Sequence, residues 1–207
     1  MKTKEKDLST EQKILETAER LFLDKGFALV STTEIARESG CNQALVHYYF
    51  RTKENLFQKI FEEKIRFFAA SFLEIDKESG TFEERIARKI EAHFDVLKKN
   101  PKLAFLIVNE ITTNPARIIA IREKLGPLPL EIIAKFQTDL DAEIEKGAVC
   151  NISLMDFMMN ILFLNVGIFI FIPVLQGVIG VSQKEIGALL EHRKKENVKT
   201  ILRSLRP

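Results

Sequence analysis

The segment from Ser31 to Leu56 contains three successive helix-start signals, which leave room only for short helices joined by tight turns. Ser31 lies three residues before Glu34, so the hydroxyl and the carboxylate have the spacing of a reciprocal capping box. Asn42 follows a Gly-Cys turn and can cap a second helix, and Thr52 can cap a third. The segment therefore predicts two short helices in close succession, followed directly by another helix.

Three small or branched residues predict how the first two of these helices cross. Ala36 is small enough for the second helix to pass close over it, and Gly40 can adopt the positive φ of a tight interhelical turn. Val46 is then expected to pack in the corner against Ile35 and Phe50. A helix held in this way can lie in the major groove of DNA, so the pattern predicts a helix-turn-helix.

Composition limits the other classes of protein. The chain has 207 residues, of which 46% are hydrophobic, so it can bury a substantial core. Its formal net charge is only +2, so any contact with nucleic acid must come from locally placed charges. Cys41 and Cys150 match no zinc or redox spacing, and the N-terminal residues include no apolar stretch. We therefore expect a cytoplasmic protein without a signal peptide or a bound metal.

Helical periodicity continues along the whole chain. The first helix is predicted from about residue 10 to 25, with Gly26 as its stop, and no segment alternates as a strand would. We predict an all-α fold that begins with a three-helix helix-turn-helix DNA-binding bundle, residues 1–52. A connecting helix at about 53–75 would open a larger helical ligand-binding and dimerisation domain, residues 53–207.

One segment leaves an alternative open. Residues 157–183 carry no charge, and the stretch 157–181 is apolar and long enough to span a bilayer. Asn165, Pro173 and three glycines argue against that reading, and an apolar helix can equally be buried between helices or between subunits. We expect a buried helix and no membrane, and a membrane-anchored DNA-binding sensor remains the alternative.

The N-terminal motifs together resemble a known family. The residues that carry the resemblance are Thr32-Thr33-Glu34-Ile35-Ala36, Gly40, His47-Tyr48-Tyr49-Phe50 and Thr52-Lys53-Glu54-Asn55-Leu56. In order and spacing they are similar to the DNA-binding domain of the TetR family of bacterial transcriptional regulators. His47 departs from the tyrosine that is most frequent in the family, and Cys41 departs from the usual valine.

The resemblance implies a homodimer that binds a pseudo-palindromic operator in double-stranded DNA, most often as a repressor. It further implies a small-molecule effector in the C-terminal domain that changes the separation of the two DNA-binding heads. The last two helices of each subunit usually form the dimer as a four-helix bundle, and no cofactor is implied.

The candidate DNA contacts fall into two classes. Asn42 and Gln43 are expected to reach base edges, whereas Ala44 and Leu45 can offer only apolar contact, as to a thymine methyl group. The predicted phosphate contacts are Thr32, Thr33, Tyr49 and Lys53. His47 and Tyr48 project from the same helix as Gln43 and are further candidate contacts. The alternatives are that Asn42 is only a helix cap and that His47 is a packed or solvated histidine.

The C-terminal candidates are weaker because each is equally an ordinary core residue. We expect a mostly apolar effector pocket, with methionine as an adaptable lining. Its candidate residues are His93, Phe94, Leu97, Phe105, Asn109, Thr112, Met155, Met158 and Met159. The candidate dimer contacts are Phe157, Ile161, Leu164, Ile168, Leu189, Val198, Ile201 and Leu202.

An enzyme is not expected. The sequence contains no glycine-rich phosphate loop, no nucleophile elbow and no cluster with metal-ligand spacing. The remaining alternative is a helical adaptor that does not bind DNA.

Overall fold

The chain is all-α, as predicted. The computed structural model describes residues 2–73 and 80–207, in which the regular secondary structure is helical and there is no strand. Residues 74 and 75, at the end of the predicted connecting helix, lie outside the described residues. The helices are α1 (Lys2–Leu29), α2 (Thr32–Ser39), α3 (Gln43–Phe50), α4 (Lys53–Leu73), α5 (Phe82–Lys99), α6 (Pro101–Thr113), α7 (Pro115–Leu125), α8 (Leu128–Glu145), α9 (Leu154–Val174) and α10 (Gln183–Ser204).

The first helix differs from its prediction at both ends. It begins at Lys2 rather than near Thr10, and its assigned span runs past Gly26 to Leu29. Gly26 nevertheless has φ 77° and ψ 166°, which are not helical angles, so the helix is kinked at the residue predicted to stop it. Glycine adopts this conformation without the steric cost that a β-carbon would bring.

The chain divides into two compact units. The first comprises Met1–Ile65 and Leu106–Lys124, and the second comprises Arg66–Phe105 and Leu125–Pro207. The predicted boundary after residue 52 stays a prediction. The aromatic centre of the first unit is Phe22, whose ring meets that of Phe57 edge-on at 5.0 Å between centroids.

The second unit is held by apolar side chains of α5, α8, α9 and α10. One cluster includes Ile90, Phe157 and Ile201, which are almost completely buried, and a second is centred on Phe94 and Phe169. Their burial supplies most of the driving force for packing these helices, at about 25 cal/mol for each Å² of apolar surface removed from water.

A buried polar network crosses the same unit and joins three helices. Asn165 on α9 donates to the carbonyl of Ile90 at 2.9 Å and lies 3.0 Å from Nδ1 of His93 on α5. Asn197 on α10 donates to Oδ1 of Asn165 at 2.9 Å and to the carbonyl of Leu164 at 2.8 Å. Because buried amides are costly without partners, the network favours one register of α5, α9 and α10.

The apolar helix α9 ends irregularly. Pro173 lies inside it, and a π-helical turn, Leu175–Ile179, follows and closes at Gly180. The span Leu154–Ile179 is long and apolar enough to cross a membrane by length and composition, with a mean hydropathy of 2.3 in the relevant window. Only 17% of that window is buried within this single chain. The expected burial of this helix is therefore incomplete without a partner.

Candidate nucleic-acid interface

The helix-turn-helix is formed by α2 and α3, and its caps follow the sequence prediction closely. The hydroxyl of Ser31 accepts a hydrogen bond from the amide of Glu34 at 3.1 Å, and Oδ1 of Asn42 accepts one from the amide of Leu45 at 2.9 Å. Gly40 has φ 73° and ψ 26°, and its amide is bonded to carbonyls of the last turn of α2. The left-handed glycine turns the chain sharply between the two helices.

The predicted capping box at Ser31 is only half formed. The carboxylate of Glu34 does not bond back to Ser31 but accepts a hydrogen bond from Nζ of Lys25 at 2.6 Å. This bond lowers the pKa of Glu34, since the nearby ammonium favours the charged carboxylate. A second ion pair, between Arg20 and Glu38, also links α1 to α2. The carboxylate of Glu34 pairs with Lys25 of α1 instead of the backbone amide of Ser31. The spacing of Ser31 and Glu34 in the sequence could not show this contact with another helix.

The corner between α2 and α3 is filled by buried apolar side chains. Ile35, Ala36, Val46 and Phe50 are all buried, as the spacing predicted. Of the residues of α3, only Val46 and Phe50 are buried, so most of the helix surface remains open to solvent. This arrangement anchors α3 by one face and leaves the other available to a partner.

The predicted base-reading residue Gln43 is held in place by its neighbour. Its Nε2 donates to Oγ1 of Thr32 at 3.1 Å, and Gln43 itself is exposed at the first position of α3. A glutamine amide has two N–H donors and one carbonyl acceptor, so this bond leaves both kinds of group free for a base edge. Thr32 thereby orients the amide before any ligand binds.

The other candidates of the helix-turn-helix are accessible to solvent. Asn42, Ala44 and His47 are exposed, and Tyr48 is 68% exposed. The ring of Tyr48 meets that of Tyr49 edge-on, with centroids 5.2 Å apart. The remaining candidates here are partly or fully accessible to solvent, namely Thr33 and Leu45.

Lys53 has a structural task that its sequence position did not indicate. Its Nζ donates to the backbone carbonyls of Phe27 and Val30, each at 2.9 Å, and lies 4.2 Å from the centroid of the Phe27 ring. A lysine ammonium has three donors, so these two bonds leave one. Lys53 therefore ties the start of α4 to the connection between α1 and α2, and its phosphate contact stays a prediction.

Arg51 was not singled out from the sequence. It occupies the two-residue connection between α3 and α4, and it lines a shallow surface cavity together with Thr32, Gln43, His47 and Thr52. Its φ is 66°, although it is not a glycine. The short spacing between Phe50 and the Thr52 cap was the available signal, because so abrupt a connection requires an unusual backbone conformation.

The methionine candidates of the second unit lie together. Met155, Met158 and Met159 line an open groove of about 270 Å³ between α8 and α9. The other lining side chains are also apolar, namely Ile132, Ile133, Phe136, Ile161 and Leu162. The groove therefore suits an apolar ligand or an apolar surface.

The remaining pocket candidates do not line this groove. His93, Phe94 and Leu97 are fully buried, and His93 belongs to the polar network described above. Desolvation by burial lowers the pKa of His93 to about 3, so its imidazole is neutral near pH 7. Phe105 is 58% exposed. The last two, Asn109 and Thr112, belong to the first unit.

The candidate dimer contacts separate into core and surface residues. Phe157, Ile161 and Ile201 are buried in the core of the chain itself. The others are partly buried, namely Leu164, Ile168, Leu189, Val198 and Leu202. A different set on α9, which includes Phe163 at 66% and Phe171 at 50% exposure, presents apolar surface to solvent. Helical periodicity identified the apolar helix but not which of its sides the chain covers.

No metal site is visible in the part of the chain that the structure describes. Within it, no group of three or more histidine, cysteine, aspartate or glutamate side chains is placed to hold a metal ion.

Comparison with known proteins matches the helix-turn-helix and the fold. The family profile "Bacterial regulatory proteins, tetR family" matches residues 14–60. The "Fatty acid metabolism regulator protein" of Bacillus subtilis is 26% identical over 134 residues, 65% of this chain and 66% of that protein. The "HTH-type transcriptional regulator AcrR" of Shigella flexneri is 38% identical over 61 residues, 30% of this chain and 28% of the relative.

A solved structure extends the likeness in fold to nearly the whole chain. The transcriptional regulator FadR from Bacillus subtilis, in complex with stearoyl-CoA, superposes with a TM-score of 0.67 at 18% identity, and the match covers 95% of this chain and 100% of that one. The relatives are regulators of transcription and not enzymes, as predicted. The helix-turn-helix of this chain therefore matches the TetR family of bacterial regulatory proteins, and the fold of nearly the whole chain is shared with a solved transcriptional regulator.

Proposed function

We propose that the chain is a cytoplasmic, homodimeric repressor that binds a pseudo-palindromic operator and releases it when a small molecule binds. The observation that carries the DNA-binding part is the geometry of α3. This helix is anchored at the buried corner of Val46 and Phe50, and its N-terminal end presents Gln43 to solvent. Such a helix is free to enter a major groove with its first turn facing the base edges.

Within this proposal, the side chains of the interface divide the work. Gln43 and Asn42 read base edges, and an amide bonded to both N6 and N7 of adenine discriminates by about 1–3 kcal/mol. Ala44 and Leu45 make apolar contact with the bases. Phosphate contacts set the position of the protein on the duplex, and they come from Thr32, Thr33, Tyr49 and Lys53. His47 and Tyr48 are further candidate DNA contacts on α3.

The exposed apolar side of α9 supports the homodimer. Phe163, Ile170 and Phe171 are each at least 39% exposed in the single chain, and an apolar surface of this kind is rare on a soluble monomer. A second copy packed on α9 and α10 would cover it and would give the assembly two DNA-binding heads, the number that a symmetric operator requires.

For the effector we propose a molecule with a long apolar chain. The groove of Met155, Met158 and Met159 is lined by apolar side chains, and flexible thioethers adapt to such a chain. The relative from Bacillus subtilis was solved with stearoyl-CoA, which carries a long acyl chain. An effector of this kind acts only if it binds the DNA-free form more tightly than the DNA-bound form.

Selection from randomised duplex DNA tests the proposal. The purified chain should enrich an inverted repeat and bind it with a Kd of about 10⁻⁸ to 10⁻¹¹ M, whereas a scrambled duplex should bind at least about a thousandfold more weakly. Added stearoyl-CoA should release the enriched duplex. A chain that enriches no sequence and binds no duplex would instead be the adaptor considered above.

The apolar span of α9 favours one other candidate, a DNA-binding sensor anchored in a membrane. Cell fractionation separates the two, since the homodimer predicts protein in the soluble fraction without detergent. Protein that pellets with membranes and needs detergent for release would replace the dimer with the anchored sensor.

A further inference from the structure

Arg51 has a backbone conformation that is unfavourable for its residue type. Its φ is 66° and its ψ is −54°, and the amide of Thr52 donates to the carbonyl of Phe50 at 2.7 Å. Together these define a γ-turn of the rare, strained hand, with Arg51 at its centre. Among the residues that the structure describes, Arg51 is the one non-glycine residue with positive φ.

The backbone conformation at position 51 does not explain why the residue there is an arginine. Glycine would adopt this conformation at lower cost, because the penalty comes from the β-carbon. The Arg51 side chain is exposed, and no salt bridge is formed to its guanidinium in the described part of the chain. Strain of this kind persists where it serves a function, so the side chain itself must supply the reason for an arginine.

The position of Arg51 indicates what that function is. Arg51 lines the same surface cavity as Thr32, Gln43 and His47, the face proposed to meet DNA. The guanidinium has five donors in a planar fork that matches two phosphate oxygens, and it is charged at every physiological pH. An unengaged cation at the edge of a base-reading helix lies where a duplex backbone would run.

We propose that Arg51 binds a DNA phosphate beside the major groove and that the strained γ-turn directs its side chain there. This inference rests on the proposed DNA binding. In this inference, the connection between α3 and α4 makes a DNA contact that does not depend on base sequence. Arg51 then increases DNA affinity, while its backbone strain lowers the free energy of unfolding. The same residue should therefore affect stability and DNA affinity in opposite directions.

Three substitutions separate the two effects. Arg51→Gly removes the strain and the charge, Arg51→Ala retains the β-carbon and removes the charge, and Arg51→Lys retains both the β-carbon and the charge. Arg206→Ala, in the exposed C-terminal residues, controls for the change in net charge. Binding would be measured on the selected operator and on a random-sequence duplex of about 30 base pairs, which accommodates two half-sites one helical turn apart.

We expect Arg51→Gly to raise Tm by about 2–4 °C, while Arg51→Ala leaves it near that of the parent chain. Both variants should bind both duplexes about tenfold more weakly, and a dimer that loses two phosphate contacts should show a salt slope smaller by about 1.8. Arg51→Lys should retain most of the affinity, and Arg206→Ala should match the parent chain.

Two outcomes would overturn the inference. If the Gly and Ala variants bind both duplexes with unchanged affinity and salt slope, Arg51 contacts no phosphate. If only the selected operator is affected, Arg51 reads a base instead. Failure of the proposed function is a different result, because the parent chain would then bind neither duplex.

Discussion

Gln43 shows how a single side chain can be prepared for sequence recognition. Its amide is already bonded to Oγ1 of Thr32, so little side-chain freedom is left to lose when a base edge binds. The bond uses one N–H and leaves a donor and the acceptor oxygen. Thr32 therefore acts on base recognition through Gln43, in addition to any phosphate contact of its own.

Gln43→Ala should change which operator the protein prefers. Loss of one bidentate base contact should weaken binding to the selected operator by about 1–3 kcal/mol, with much less effect on random-sequence DNA. Repeating the selection with the variant should show relaxed preference at one position in each half-site. Gln137→Ala, an exposed glutamine on α8, is the matched control and should leave the preference unchanged. Unaltered preference in the Gln43 variant would contradict the assignment.

Lys53→Ala should lower both stability and DNA affinity. The variant loses two hydrogen bonds from a charged donor to the carbonyls of Phe27 and Val30, which together should cost about 1–3 kcal/mol of unfolding free energy. Loss of its proposed phosphate contact should weaken binding to all duplexes and reduce the salt slope by about 0.9 per contact.

Lys53→Arg keeps the charge and serves as the comparison in the same thermal melts and salt titrations. A Lys53→Ala protein that melts lower but binds DNA with an unchanged salt slope would leave Lys53 with its structural task alone.

At the scale of the helices, local signals in the sequence were sufficient to predict caps and corners. Ser31, Asn42 and Thr52 each cap a helix through a residue three positions on, and the structure confirms all three caps. Contacts that join distant segments could not be predicted in this way. The bond from Lys53 to Phe27 spans 26 residues, and it exists only because α4 packs beside the end of α1.

The same distinction explains the mixed result in the second unit. A repeating apolar pattern predicts that His93, Phe94 and Leu97 lie on one face of α5, but not whether that face meets a pocket or a core. The structure places this face in the core, with His93 bonded across to Asn165. The three methionines do share a groove, because α8 leaves one side of α9 uncovered there.

The network that joins α5, α9 and α10 should make stability depend on pH. The pKa of His93 is about 3 in the folded chain against 6.5 for the free side chain, so unfolding takes up a proton between these values. Unfolding free energy should therefore fall as pH decreases below about 6.5, by up to about 1.4 kcal/mol per unit. Denaturant melts between about pH 7 and 5 measure the slope.

His93→Gln should flatten that slope, at a general cost to stability from the altered network. His192→Gln, an exposed histidine on α10, is the matched control and should keep the slope of the parent chain. An equal slope in the His93 and His192 variants would mean that the pKa of His93 is the same in the folded and the unfolded chain.

For the whole molecule, the exposed apolar side of α9 is the surface at which dimerisation can be tested. Phe163→Glu places a charge in the centre of that exposed apolar surface, where Phe163 makes little contact with its own chain. If a second copy covers this surface, burial of an unpaired carboxylate should shift the protein from dimer to monomer. A monomer presents one head, so its binding to an inverted repeat should fall to that of a half-site. Thr138→Glu, at an exposed position of α8 outside the proposed contact, introduces the same charge and should remain dimeric. Sedimentation of both variants measures the result, and a Phe163→Glu protein that sediments as a dimer and binds the repeat like the parent would place the contact between copies elsewhere.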